Sequence, residues 1–307
     1  MTDCSPLVSI VLTTRNRREE VLRALESCLA QDYRPLDIRV YDDASDDGTC
    51  EAIRRCFPEV EVFTGEAHVE RLILRNRALR DARGKYIVTL DDDCYFSDTA
   101  TMSTIVDTLE TCPNVAVVAL RYVERARPHT SDQPCLNAKP GTELGSFAGG
   151  ANAMRRECTL DIGGYREILV HHQEERDLAV RILDRGWSIM YGSNKPLVHL
   201  PSATRDSMRA WLYGVRNTVL IAYLNLPIIF LVPHVLVACA KMMLFRFKLQ
   251  TLPFKLRGML LGVADCIKYR GERRSISLAT YLRYRRLPKH GPEQLLKTSA
   301  PPASRRD

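Results

Sequence analysis

The chain has 307 residues, 45% of them hydrophobic, and a formal net charge of +7. That is enough apolar material for a sizeable core and about two domains, with no need of disulfide staples. The charge is uneven: Phe245 to Asp307 holds fifteen Lys and Arg against four acidic residues, a balance of +11, so the first 244 residues carry −4. This excludes a nucleic-acid groove across the main fold and points instead to an acidic surface, such as a membrane, meeting the C-terminal part. Ten cysteines, no two closer than six residues, leave no CxxC metal knuckle or redox pair and suit scattered thiols in a reducing cytosol. The start, MTDCSPLVSIVLTT, lacks the basic end and long apolar run of a signal peptide, so the expectation is synthesis in the cytosol.

In chain order, LVSIVLTT (7–14) reads as a β-branched strand, and REEVLRALESCLAQ after it places Val21, Leu22, Leu25 and Leu29 at helical spacing. A second strand, LDIRVYDD (36–43), enters ASDDGT, whose Ser, Asp and Gly suit a turn and the cap of a helix carrying Ala52 and Ile53. VEVF (60–63) is a third strand, Leu72, Ile73, Leu79 and Ala82 mark the next helix, and YIVTL (86–90) is a fourth strand. Strands alternating with helices predict an α/β fold with a mostly parallel sheet and helices on both faces.

Ligands of such sheets gather beyond the carboxyl ends of the strands. The polar residues sit there: Thr13, Thr14 and Arg15 after the first strand, Asp42 and Asp43 after the second, and Asp91, Asp92 and Asp93 after the fourth. Three adjacent carboxylates repel unless they share a cation, so a hard divalent ion, Mn2+ or Mg2+, is the economical explanation, and it brings phosphates with it. A solvated turn capping the next helix is the simpler alternative. GxxxxGK[ST] is absent, as is GxGxxG after a strand, which leaves P-loop and dinucleotide chemistry without support.

In the second half, FAGGANAMRREC offers Gly149, Gly150 and Ala151 for close backbone approach. In HHQEERDLAVRILDRG, Leu178, Ala179, Ile182 and Leu183 define the buried face of a helix ending before Gly186, which puts Glu175 on the inward side of its first turn and lets Asp177 pair with Arg181. Favourable interaction with the helix dipole is the bland explanation of Glu174 and Glu175.

Four segments in order, VSIVLTTRNRREEVLRALESCLAQ, VYDDASDDGT, RNRALRDARGKYIVTLDDD and GGYREILVHHQEERDLAVRILDRG, resemble the successive motifs of family-2 glycosyltransferases of the GT-A fold. The likeness runs from about Val8 to Gly192 and more weakly to YGVRN at 213–217. It implies a Rossmann-like nucleotide-diphospho-sugar transferase fold and metal-dependent, inverting sugar transfer to a hydroxyl in cell-surface glycan or polysaccharide synthesis. On that resemblance Thr13 contacts the nucleotide with Arg15 nearby, and Asp43 reads the base while Asp42 holds the loop or joins it. Arg75, with Arg71 as rival, approaches base or phosphate. Asp91 and Asp93 are the DXD acids for ribose and metal, Asp91 also serving as a metal ligand, Asp92 fills the middle position beside the nucleotide, and His199 is a third metal ligand. Glu175, standing where the family more often has Asp, is the general base, with Glu174 the alternative; His171 and His172 lie near it.

The expected organisation is a donor half over 1–120, an acceptor half over 121–207, a basic helical extension over 208–290 and a disordered tail over 291–307. Expected partners are a nucleotide-sugar donor, a glycan or lipid-linked acceptor and the cytoplasmic face of the membrane, with no nucleic acid. Two other classes stay open: a nucleotidyltransferase acting on sugar phosphates, and a catalytically silent, membrane-bound partner of another transferase. Thr218 to Ala240 lacks Asp, Glu, Lys and Arg for 23 residues, but Asn225, Pro227, Pro233 and His234 interrupt it. A single crossing would send the basic tail away from the cytosol, so a broken hairpin or in-plane helices, assisted by Lys241, Arg246, Lys248, Lys255 and Arg257, is expected rather than a span, with a helix packed wholly against the catalytic domain as the bland alternative.

Overall fold

The computed structural model describes residues 5–124, 139–192, 195–200, 207–245 and 248–288. The tail over 291–307, and Arg246, lie outside the described residues.

The chain begins with β1 (Val8–Thr14), α1 (Arg18–Leu29), β2 (Leu36–Asp42), α2 (Thr49–Cys56), β3 (Glu61–Thr64), α3 (Arg71–Asp81) and β4 (Tyr86–Asp91). It continues through β5 (Cys94–Phe96), α4 (Thr101–Thr111), β6 (Val115–Ala119), β7 (Tyr122–Glu124), β8 (Ala151–Arg155), α5 (Arg156–Asp161), α6 (Glu174–Asp184), β9 (Ser188–Tyr191) and β10 (Leu197–His199). Four helices follow: α7 (Ser207–Asn225), α8 (Ile228–Leu244), α9 (Leu252–Lys268) and α10 (Leu278–Arg286).

Seven strands form one sheet in the order β3-β2-β1-β4-β8-β6-β9, parallel except for β8, which runs against both its neighbours. A second sheet has the order β5-β10-β7. The strand periodicity of two decides the layers. Val8, Ile10 and Leu12 of β1 face one core with Val21, Leu25 and Cys28 of α1 and Met102, Ile105 and Leu109 of α4. Val11 faces the other with Leu72 and Leu79 of α3 and Leu178, Ile182 and Leu183 of α6. Each fully buried Leu or Ile in these layers contributes about 1.5–3 kcal/mol relative to exposure.

The helical extension shares this second core. Leu220 and Leu224 of α7 and Tyr281 of α10 belong to the same cluster as Leu178. Asp177 of α6, wholly buried, accepts from Arg166 (2.6 Å), from Arg181 (2.9 Å), as its spacing predicts, and from Asn225 Nδ2 (2.7 Å). Asn225 is therefore an internal polar contact between α7 and α6. Pro227 breaks the uncharged run, whereas Pro233, on the outward side, is absorbed within α8. Residues 218–226 are thus mostly buried on the α/β body, and only the part from Ile228 onward turns outward. No helix among the described residues is long and apolar enough to cross a membrane. Lys255 corrects its expected place at a lipid surface: it is buried, donates to Phe245 O (2.8 Å) and Met243 O (3.3 Å) at the end of α8, and lies 4.4 Å from the Trp211 ring centre. A lysine used to satisfy helix-terminal carbonyls is not available to lipid phosphates.

Candidate active site

The carboxyl ends of β1, β2 and β4 come together because the three strands are adjacent and in register, Thr13 opposite both Tyr41 and Asp91. Around them the loops after β1 and β2 are tied to each other: Asn16 N donates to Ser45 Oγ and Asp46 N to Asn16 Oδ1, both at 2.9 Å. Asp42 holds this rim from beneath, accepting from Ser45 N (2.9 Å) and Ser45 Oγ (2.5 Å). Asp43 accepts from Val69 N (2.7 Å) and contacts His68 Nδ1 (2.6 Å), so it fixes the approach to α3. Thr13 is half-buried at the mouth, and Arg15 is exposed on the rim.

The three aspartates after β4 point to three different partners. Asp91 accepts from Arg75 Nη2 (2.8 Å). Asp92 is buried between Thr14 Oγ1 (2.9 Å) and Arg17 Nη1 (2.7 Å). Burial pushes its carboxyl up to about 6, against the pull of Arg17. Asp93 lies 3.4 Å from Arg17 Nη1 and 3.4 Å from His199 Nε2. Arg17 escaped the sequence reading; its signal was a second basic residue in TTRNRR at a strand end already crowded with acid.

His199 arrives from over 100 residues away through the second sheet, where it sits opposite Cys94 in the β5–β10 pairing, and Leu200 N bonds Asp93 O at 2.9 Å. Ligand atoms of Asp93, Cys94 and His199 all lie within 4.8 Å of one another. A buried carboxylate and imidazole at that spacing fit a divalent ion such as Mn2+, with the thiol a softer neighbour. Asp91 is not in that group and stands on the Arg75 side.

Arg75 links the aspartates to the second half. Its guanidinium is buried and reaches Asp91, Glu174 Oε1 (3.5 Å) and Glu175 Oε1 (3.4 Å). Burial opposes its charge, but Asp91, Glu174 and Glu175 outweigh that and raise it. Arg71, one turn earlier, donates to Glu174 at 2.7 Å. The two adjacent glutamates therefore diverge. Glu174 is buried and, despite that burial, held ionised by Arg71 and Arg75. Glu175, partly open to solvent, is pushed well above the ordinary carboxylate range by its burial and then by the charge of Glu174. A tuned acid beside an anchored one is an arrangement suited to proton transfer.

Gly149 and Gly150 lie across from β4, and their lack of side chains is what admits these groups. A Cβ on Gly149 would overlap the Glu175 carboxylate and approach Arg75, and one on Gly150 would overlap Asp91.

The loop before α6 is unusual: Val170, His172 and Gln173 all have positive φ (61°, 69° and 66°), a conformation bulky residues rarely hold without support. Asn217 of the YGVRN segment supplies it. Fully buried, its Nδ2 donates to the carbonyls of Leu169 (2.8 Å), His171 (2.8 Å) and His172 (2.7 Å). Gln173 Nε2 adds bonds to Gly214 O (2.6 Å) and Thr218 Oγ1 (2.9 Å). His171 is held neutral by burial and by His172 beside it. Replacing Asn217 with Ala strands these carbonyls and should cost about 1–3 kcal/mol, read as a lower midpoint in urea unfolding. An unchanged midpoint would mean that the loop does not depend on this side chain.

Residues 9–160 match the sequence model of Glycosyl transferase family 2. WfaP of Escherichia coli, a UDP-Glc:alpha-D-GlcNAc-diphosphoundecaprenol beta-1,3-glucosyltransferase, is 26% identical over 183 residues, 59% of this chain and 71% of that protein. The mannosyltransferase PcManGT from Pyrobaculum calidifontis, solved with GDP-Man and Mn2+, superposes with a TM-score of 0.58 at 20% identity, over 92% of this chain and 79% of that one. S. aureus TarS 1-349 with UDP-GlcNAc gives a TM-score of 0.64 at 16% identity, over 82% and 79%. The sequence match begins in β1 and runs past the glycine pair that admits Asp91 and Glu175, and the fold is that of the two solved proteins: the chain belongs to glycosyl transferase family 2 and is a glycosyltransferase of the GT-A fold.

Proposed function

We propose that the protein transfers a sugar, with inversion, from a nucleotide-diphosphate donor to a hydroxyl of a lipid-linked glycan in cell-surface polysaccharide synthesis, at the inner face of the cytoplasmic membrane. The observation that carries this is the Arg75 bridge, which joins Asp91 at the strand ends to the Glu174–Glu175 pair on α6. An acid at the strand ends, suited to the nucleotide side, is thereby tied to an acid suited to accept a proton, which supports this reading. The similarity to WfaP, whose acceptor is diphosphoundecaprenol-linked, supports the lipid-linked class.

In this reading residues 1–120 hold the donor, with Thr13, Arg15 and Asp43 around the nucleoside, Asp42 and Asp92 keeping their loops in place, and Asp91 toward the ribose. Residues 121–207 present the acceptor, and 208–290 brace α6 and meet the membrane. Asp93 and His199 would hold the divalent ion. When bound, it supplies counter-charge to the leaving diphosphate. Glu175 takes the proton from the acceptor hydroxyl as that oxygen attacks the anomeric carbon. Burial, and then the charge of Glu174 fixed by Arg71 and Arg75, keeps Glu175 high in pKa.

A donor screen tests this: the protein with Mn2+ or Mg2+ and a panel of UDP-, GDP- and dTDP-sugars, read by the phosphate product. Nucleoside diphosphate is expected. Pyrophosphate would favour the nucleotidyltransferase alternative, and no turnover with any pair of donor and lipid-linked acceptor would favour the silent partner.

Gly149→Ala supplies a second check. The atoms nearest its new methyl group are the movable ends of Glu175 and Arg75, so the fold should survive while the base is displaced. A misplacement of that size should lower kcat about 100-fold with little change in donor affinity. Unaltered kinetics would show that Glu175 does not work from this position.

A further inference from the structure

The outward part of the extension has a surface that the α/β body does not need. Along α8, Ile228, Ile229, Val232 and Leu236 recur at intervals of three and four and are 64–67% exposed, and Leu244 at the end is 73% exposed. On neighbouring α9, Leu260 (69%) and Ile267 (65%) lead a second outward stripe with Leu256, Leu261 and Val263. A helix of a water-soluble body normally buries its large apolar residues and exposes its polar ones. α9 reverses that order. Its inner face carries Gly258 and Gly262, where an added Cβ would crowd the carbonyls of Leu212 and Arg216 of α7. Small residues at the helix contact with large apolar residues outside is how helices pack within lipid.

Charge selects among the possible occupants of this face. Between 228 and 288 the chain has twelve Lys and Arg but two acidic residues, and one of those, Asp265, is held by Arg216 at 2.6 Å. Arg257 and Lys268 lie on the outward side of α9 and Lys248 is exposed between the helices, while Lys241 is exposed at the edge of α8, on the side facing the cavity lined by Gln173 and Arg176. Two copies of so basic a face repel each other. An anionic leaflet complements it, because long basic side chains can reach phosphates while their neighbours enter the acyl boundary. Each helix has 17 residues, about 25 Å at 1.5 Å per residue and short of a bilayer core of about 30 Å, which suits helices lying in the membrane plane.

We infer that α8 and α9 form an in-plane docking surface for an anionic lipid leaflet, Ile228, Ile229, Val232, Leu236, Leu260 and Ile267 entering the acyl boundary. This deepens the proposed function, since a lipid-carried acceptor is met where its carrier resides, but its test does not depend on transfer.

The full chain is sedimented with vesicles of phosphatidylcholine alone or mixed with phosphatidylglycerol. Cosedimentation with the anionic vesicles, weakened by high salt, is expected. The double variant Leu236→Glu/Leu260→Glu should lower partitioning at least about ten-fold, and Lys248→Glu/Arg257→Glu should remove at least about ten-fold of the preference for anionic vesicles. Both pairs are exposed, and unchanged thermal melting and donor hydrolysis confirm that fold and site are intact. Wild-type protein that stays in the supernatant overturns the inference, as does a Leu236→Glu/Leu260→Glu variant that binds like the wild type. A dimer seen by light scattering and abolished by that variant, without vesicle binding, would give the face to a second copy instead. Donor turnover measured in parallel keeps the two questions apart: vesicle binding can fail while sugar transfer stands.

Discussion

Glu175→Gln is expected to lower kcat by about 10²–10⁴-fold while donor affinity and thermal stability stay near wild type. The amide keeps the shape that fits above Gly149 and can still meet Arg75, but it cannot accept a proton. The pH profile carries the same argument. Burial and the charge of Glu174 raise the pKa of Glu175, and the base works ionised. Activity of the wild type should therefore fall on the acid side at a pH above the ordinary carboxylate value of about 4.3. Glu174→Gln removes the repulsive charge and leaves Arg71 and Arg75 in place, so the acid limb of kcat/KM should move to lower pH. An active Glu175→Gln beside a dead Glu174→Gln would reverse the assignment within the pair.

Asp93→Ala should abolish the part of donor binding that depends on Mn2+ and, with it, transfer. Asp93 and His199 are the buried oxygen and nitrogen donors that face each other at 3.4 Å, and few other groups nearby can replace the carboxylate. A bound ion stabilises the developing diphosphate charge by several kcal/mol, so kcat/KM should fall by about 10³-fold or more. Titration of nucleoside diphosphate with and without Mn2+ reads the effect directly. If the Mn2+-dependent affinity persists in Asp93→Ala, the ion sits elsewhere, and Asp91, on the Arg75 side, becomes the next carboxylate to replace. Arg17, which contacts both Asp92 and Asp93, is expected to remain on Asp92 in this variant and to keep the loop after β1 in place.

Local pattern carried much of the protein. The apolar alternation of LVSIVLTT and YIVTL, and the helical spacing of Val21, Leu25, Leu178 and Ile182, gave strands and helices whose buried faces agree with the two cores, because burial of one face is a periodic demand that short segments record. Adjacent parallel strands then put Thr13, Asp42 and Asp91 at one edge, so the acids at the strand ends were legible before any contact was known. The Asp177–Arg181 pair was legible for the same reason, being one helical turn apart.

What periodicity could not supply was any relation between residues far apart in the chain. Whether Glu174 or Glu175 is the anchored acid depends on Arg71 and Arg75, about 100 positions earlier, and the spacing of an EE pair says nothing of that. Asn217 supports the loop before α6 through three carbonyls, a role invisible in YGVRN because the acceptors are backbone atoms shared by every sequence. His199 meets Asp93 only through the register of a second, three-stranded sheet. Likewise, 23 residues without charge could not say which half would be buried: α7 spends its half on the core, with Asn225 turned to Asp177, and only α8 is left facing out. The sequence by itself determined the strands, the helices and the acidic strand ends, since these rest on local burial and charge; the tertiary structure alone decided which carboxylates are neutralised and which face remains apolar, since both depend on what long-range packing brings alongside.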